Sequence, residues 1–193
     1  MRLLALACHP TSDAELIAES IAELTAGRPK AAAAICLQVS QTQAAAECAW
    51  SVAAVVAESD PAAATAICRT LSGAHADECA FVVAEASQDP ELCSGTGGLE
   101  VKCQLHFYRD GLSAWVPPDA RVGQVDGLAQ EHMTALGLAV ETEAAWFRTY
   151  RYVLAHTAED TTTEECQTLG PIRARACERA LEMDQARPGT HRP

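Results

Sequence analysis

Aromatic residues are scarce in this chain: three each of Trp, Tyr and Phe, 5 % of its 193 positions. A core built mainly from large rings is therefore excluded, although 49 % of the residues are hydrophobic. Much of that share is Ala, the strongest helix former and a residue that buries little area, so close-packed helices around thin cores are expected. Basic residues are also few. Fourteen Lys and Arg stand against 26 Asp and Glu, for a formal charge of -12 and a pI near 4.8. A field of that sign repels phosphate backbones and anionic head groups, so a nucleic-acid partner is not expected. No apolar run approaches the roughly 20 residues of a spanning helix. A phosphate-cradling glycine motif is missing too, because Gly95, Gly97 and Gly98 follow no strand pattern and read as a turn.

Cysteine is abundant, with nine copies. Eight of them form pairs separated by 12, 11, 10 and 11 positions: Cys36 with Cys48, Cys68 with Cys79, Cys93 with Cys103, and Cys166 with Cys177. Cys8 is left over. In the first three pairs an aliphatic-Cys step (Ile35-Cys36, Ile67-Cys68, Leu92-Cys93) precedes a Glu-Cys or Lys-Cys step (Glu47-Cys48, Glu78-Cys79, Lys102-Cys103). In an antiparallel helical hairpin, two cysteines each about one turn from the loop face one another, and Ala-rich surroundings let the backbones approach to the ~5.5–6 Å between Cα atoms that a disulfide needs. Each such staple closes a loop of about a dozen residues and contributes roughly 3 kcal/mol by the chain-entropy account. The predicted fold is all-α, a stack of antiparallel hairpins, solenoid-like or an irregular bundle, each stapled by a disulfide. It would form in an oxidising compartment.

Along the chain, Ser12 with Glu15 makes a capping box for a helix of about 13 residues carrying Leu16, Ile17, Ile21 and Leu24 and ending at Gly27. Arg28-Pro29 breaks it, and Ala31 to Val39 starts the next helix. Asp60-Pro61 supplies an N-cap acceptor and a first-turn residue with no amide hydrogen to satisfy. Ala62 to Leu71 is then helical, Ser72-Gly73 turns the chain, and Asp77 to Ala86 returns it. Asp89-Pro90 repeats the start signal for a shortened third copy, in which Ser94 to Gly98 reads as a flexible loop. The segment from Cys166 to Cys177 is a fourth copy, with Gly170-Pro171 at its turn and Thr161 with Glu164, or Thr162 with Glu165, as its cap. Repetition of one supersecondary unit is the mark of a stacked array.

Residues 107–160 form an insert within one domain, 9–185. Phe107 to Val125, with Trp115, Pro117 and Pro118, reads as an irregular loop. Leu128, His132, Met133 and Leu136 share a face of a short helix closed by Gly137. Trp146, Tyr150, Val153 and Leu154 line one face of a helix over Glu141 to His156, as core or alternatively as a ligand platform. The tail, 186–193, is expected to fray.

Candidate chemistry is sparse. Zinc sites bring two ligands within two to four residues, a spacing found only in Cys103-Gln104-Leu105-His106. No metal is expected; the alternative is a set of Cys103 and His106 with His132, or Met133 in its place. His75, His132 and His156 read as surface or structural histidines, and Glu85 and Glu91 as parts of a solvated acidic face. No motif supports a hydrolase using carboxylates and a histidine near the insert, and no cofactor is expected.

Two resemblances follow from these residues. Met1-Arg2-Leu3-Leu4-Ala5-Leu6-Ala7-Cys8 resembles the end of a bacterial lipoprotein signal peptide, which implies lipidation at Cys8 and a membrane association through that anchor alone. The paired cysteines with their Asp-Pro starts, over Ala31 to His106 and Glu164 to Leu181, resemble the Sel1-like, cysteine-rich secreted repeats, and more broadly bacterial envelope lipoproteins. That similarity implies a non-enzymatic envelope protein, periplasmic or outer-surface, that binds a protein partner, with Trp115, Trp146 and Tyr150 as the aromatic candidates for contact. The competing expectation is a periplasmic metal- or cofactor-binding protein.

Overall fold

The computed structural model describes residues 12–156 and 161–186, and every described element is a helix or turn. The chain is all-α. Its contacts group it into two compact units, 1–100 and 101–193, with a boundary that no composition shift or linker marks.

The first unit holds α1 (Asp13–Thr25), α2 (Pro29–Cys36), α3 (Thr42–Ala57), α4 (Pro61–Cys68) and α5 (Ala74–Ser87), then 3-10 turns at Pro90–Gly95 and Gly97–Leu99. The Ser12–Glu15 capping box is present on α1. At its far end the Arg28 N–H donates to the Glu23 carbonyl and the Gly27 N–H to that of Leu24. This closure needs a left-handed residue, and Gly27 supplies it with φ +74°. Pro29 does more than break α1: it is the first residue of α2, where its fixed φ suits the helix. Asp60 caps α4 by accepting from the Ala63 N–H at 2.9 Å, and Pro61 follows at the first helical position.

α3 packs against α2, α4 and α5, and so forms the centre of this unit. The interior is made of Ala32, Ala33, Ala49, Ala53, Ala57 and Ala64 with Val52, Val56, Ile67 and Val83. Disulfides tie α2 to α3 through Cys36–Cys48 and α4 to α5 through Cys68–Cys79, with Cα separations of 5.5 and 5.4 Å. The buried Ser20 hydroxyl lies 3.1 Å from the Cys36 sulfur and donates to the Ala32 carbonyl, which fastens α1 beside the first staple.

Ser94 to Gly98 departs from the flexible loop that its composition predicts. It is wound into 3-10 turns, Thr96 is fully buried, and the Asp77 carboxylate accepts from the Gly98 N–H at 3.1 Å. Glycine here serves close approach, since a Cβ on Gly97 would meet the Asp77 carboxylate at 2.4 Å.

The second unit comprises most of α6 (Glu100–Trp115), then α7 (Asp126–Ala135), α8 (Glu143–His156), α9 (Thr163–Gln167) and α10 (Pro171–Gln185). The predicted loop from Phe107 to Val125 is corrected: α6 runs unbroken to Trp115, and only the segment after it is irregular. Leu105, Tyr108 and Leu112 recur at helical spacing and are buried, so packing outweighs Gly111, while Pro117 and Pro118 end the helix instead of dissolving it. α8 and α10 pack along each other, and Thr162 with Glu165 forms the capping box of α9. Cys166–Cys177 joins α9 to α10 with a Cα separation of 5.5 Å. Cys93 and Cys103 are each disulfide-bonded as well. Cys8 and residues 187–193 of the expected frayed tail lie outside the described residues.

Candidate functional site

An open groove of about 800 Å³ lies on the first unit. Its rims are α2 and α4, two helices of the same length and nearly the same sequence, each starting with Pro and ending in Ile-Cys. The end of α3 at Val55 and Val56 lines it as well, as do Leu24 and Gly27 at the end of α1. The groove exists because the facing rim residues are short. Ala33 and Ala34 on one side and Ala63 and Ala66 on the other leave the space between the helices unfilled. Leu37 and Val55 remain about half exposed on its walls, at 48 % and 53 %.

A smaller hollow of about 230 Å³ lies between α1 and α3, and it shares Leu24 with the groove. Ile21 lines it and is 59 % exposed. Among the described residues of this unit, the three large apolar side chains that are exposed, Ile21, Leu37 and Val55, therefore all line one of these two depressions.

Few polar groups in the groove are available for chemistry. Ser59 donates its hydroxyl to the Val56 carbonyl and Thr70 to that of Ile67. The Asp60 carboxylate is occupied as the cap of α4. Lys30 is the one basic residue among those lining the groove. Such a surface works by apolar contact and shape.

The alternative metal set read from sequence is not assembled. Cys103 is oxidised and supplies no thiolate. His106 Nε2 lies 3.1 Å from an Asp110 carboxylate oxygen, while its Nδ1 lies 3.1 Å from a guanidinium nitrogen of Arg109. Because Arg only donates, Nδ1 accepts and the proton sits on Nε2, so both ring nitrogens are engaged. Asp110 is held below the usual carboxylate range, chiefly by the Arg109 guanidinium. His132 instead stacks on Trp115, with centroids 4.7 Å apart, and Met133 is fully buried. Trp115 follows His106 by nine residues on α6, about 13.5 Å along the axis, so the structure brings together Trp115 and His132 but leaves His106 apart.

Trp146 and Tyr150 are core residues, 1 % and 0 % exposed, which corrects their use as a contact surface. The Trp146 indole donates to the Val140 carbonyl at 2.7 Å, and the Tyr150 hydroxyl donates to Asp126 at 3.0 Å. Asp126 also pairs with Arg173, whose guanidinium lies over the Trp146 ring. Burial first, and the Asp126 carboxylate second, push the Tyr150 phenol above the ordinary tyrosine range. His75 packs near Trp50, whose indole donates to the His75 carbonyl, and His156 stacks on Tyr152.

Sequence reasoning missed the groove itself. Its one legible signal was the doubled Pro-to-Cys helix, Pro29–Cys36 and Pro61–Cys68, which sets matching small side chains opposite each other. Compared with protein families, with curated proteins and with solved structures, the chain finds no match in any of the three.

Proposed function

We propose that this chain is a non-enzymatic interaction module of the bacterial cell envelope, periplasmic or outer-surface, that holds a protein partner in the α2–α3–α4 groove and is tethered through a lipid on Cys8. The observation that carries this reading is the groove: an open, apolar trough whose rims are covalently stapled to the helices beneath. Stapled rims are pre-organised, and a pre-organised surface loses less entropy on binding. Eight disulfide-bonded cysteines agree with an oxidising compartment. The resemblance of the paired-cysteine segments to Sel1-like repeats points the same way.

Site-specific photo-crosslinking tests the interaction. A photoreactive residue at Val55 or Leu37 should yield discrete protein adducts in cells, whereas one at Glu85, outside both depressions, should not. Adducts from Glu85 equal to those from Val55, or none from either groove position, would overturn the reading. Radiolabelled palmitate incorporation that persists in Cys8→Ser would remove the tether from it.

A further inference from the structure

Resting on that reading, we infer that the groove's occupant is a cationic amphipathic helix, a segment with one apolar stripe flanked by Lys or Arg. Length comes first. α2 and α4 have eight residues each, so the trough between them runs about 12 Å. One set of apolar anchors at i, i+3, i+4 and i+7 spans about 10.5 Å of helix, which fits those two turns.

Openness argues against a small ligand, because sites for small molecules enclose most of the ligand's surface, and the facing rims of this trough carry short side chains, Ala33 and Ala34 opposite Ala63 and Ala66, that enclose little. Charge then selects the sign of the partner. Of the chain's residues, positions 1–100 contain 13 acidic and only four basic. The field around the groove is therefore negative. It repels fatty acids and anionic lipid head groups, and it steers a cationic segment towards the surface. Arg28 is already paired with Glu23. This leaves Lys30, exposed on the α2 rim, as the groove's one repulsive group towards such a partner.

The experiment uses the oxidised protein and two fluorescent peptides of about 14 residues with the same Leu stripe, one flanked by Lys and the other by Glu. The Lys peptide should bind, gain helical circular dichroism on binding, and weaken at least tenfold between about 0.05 and 0.5 M salt. Ala66→Phe, at an exposed rim position, should fill the trough and weaken binding at least tenfold while the disulfide count and helicity stay unchanged. Lys30→Glu should tighten the Lys peptide several-fold, an outcome that a merely sticky surface would not give. Equal binding of both peptides, tightening of the Glu peptide by Lys30→Glu, or no binding of the Lys peptide would overturn the proposal. So would sedimentation showing a dimer that Ala66→Phe dissociates, since the occupant would then be a second copy. If groove crosslinks form in cells while the Lys peptide fails to bind, the interaction reading stands and the partner class falls.

Discussion

Asp126 gathers three side chains of the second unit's interior: it accepts from the Tyr150 hydroxyl, pairs with Arg173, and through Arg173 reaches the face of Trp146. Hydrogen bonds to charged groups are worth about 1.5–3 kcal/mol when the groups are withdrawn from water. Asp126→Ala should thus lower stability by about 2–3 kcal/mol in urea unfolding, and Tyr150→Phe by about 1.5 kcal/mol. The double variant should cost close to Asp126→Ala alone, because both remove the same bond. Tyr108 gives a pH-dependent test. Its hydroxyl is 2.6 Å from that of Thr149, and burial pushes its phenol up to about 12 from an ordinary 10.0. The unfolded chain releases this proton first, so stability is unaffected below pH 10 and falls as pH rises from about 10 towards 12. Tyr108→Phe should flatten that fall, measured by urea midpoints in a Cys8→Ser background that suppresses thiol exchange. An unchanged slope would show that the phenol is not held neutral.

Among the elements, α5 ends in an unusual way. The Asp89 N–H donates to the Ala84 carbonyl and the Gln88 N–H to that of Glu85, a closure that normally has glycine at its left-handed position. Gln88 occupies it with φ 54°. A left-handed side-chain residue costs about 1–2 kcal/mol, and the exposed Gln88 amide bond to the Glu85 carbonyl offsets part of that. Gln88→Gly should therefore raise stability by about 0.5–1 kcal/mol, read from the urea midpoint at unchanged slope. The staples act at the same scale. Replacing Cys68 and Cys79 with Ala should cost about 3 kcal/mol, because the 11-residue separation is no longer closed in the unfolded chain. That loss should appear under oxidising conditions and vanish in excess reductant, where the wild type lacks the bond as well.

For the whole molecule, the two units differ in what fills them. The first relies on Ala, Val and two internal disulfides, whereas the second buries Trp146, Tyr150, Tyr108, Met133 and Leu154 around one. Aromatic side chains each bury about 150–250 Å², so the second core holds by packing what the first holds by cross-links. Full reduction should consequently expose eight thiols to alkylation and strip amide-exchange protection from α2 to α5 before it does so from α8. Simultaneous loss in both units would contradict this division.

The residue sequence by itself determined the local and covalent layer. Capping boxes, Asp-Pro starts and cysteine spacing act over a few positions through backbone hydrogen bonds and hairpin closure, so Ser12, Asp60 and the pairs 36–48, 68–79 and 166–177 could be placed without knowing the fold, and the cap of α9 was narrowed to Thr161 or Thr162. Composition misled where burial outweighs it: Trp115, Pro117 and Pro118 suggested a loop over Phe107 to Val125, yet Leu105, Tyr108 and Leu112 had a core to enter and the helix runs to Trp115. Only the tertiary structure decided that His132 meets Trp115 rather than His106, and that Trp146 and Tyr150 are interior. It alone decided that two Ala-rich helices 32 positions apart flank an unfilled trough. A groove is a property of what side chains leave empty between distant elements, and no local signal in the chain encodes an empty space.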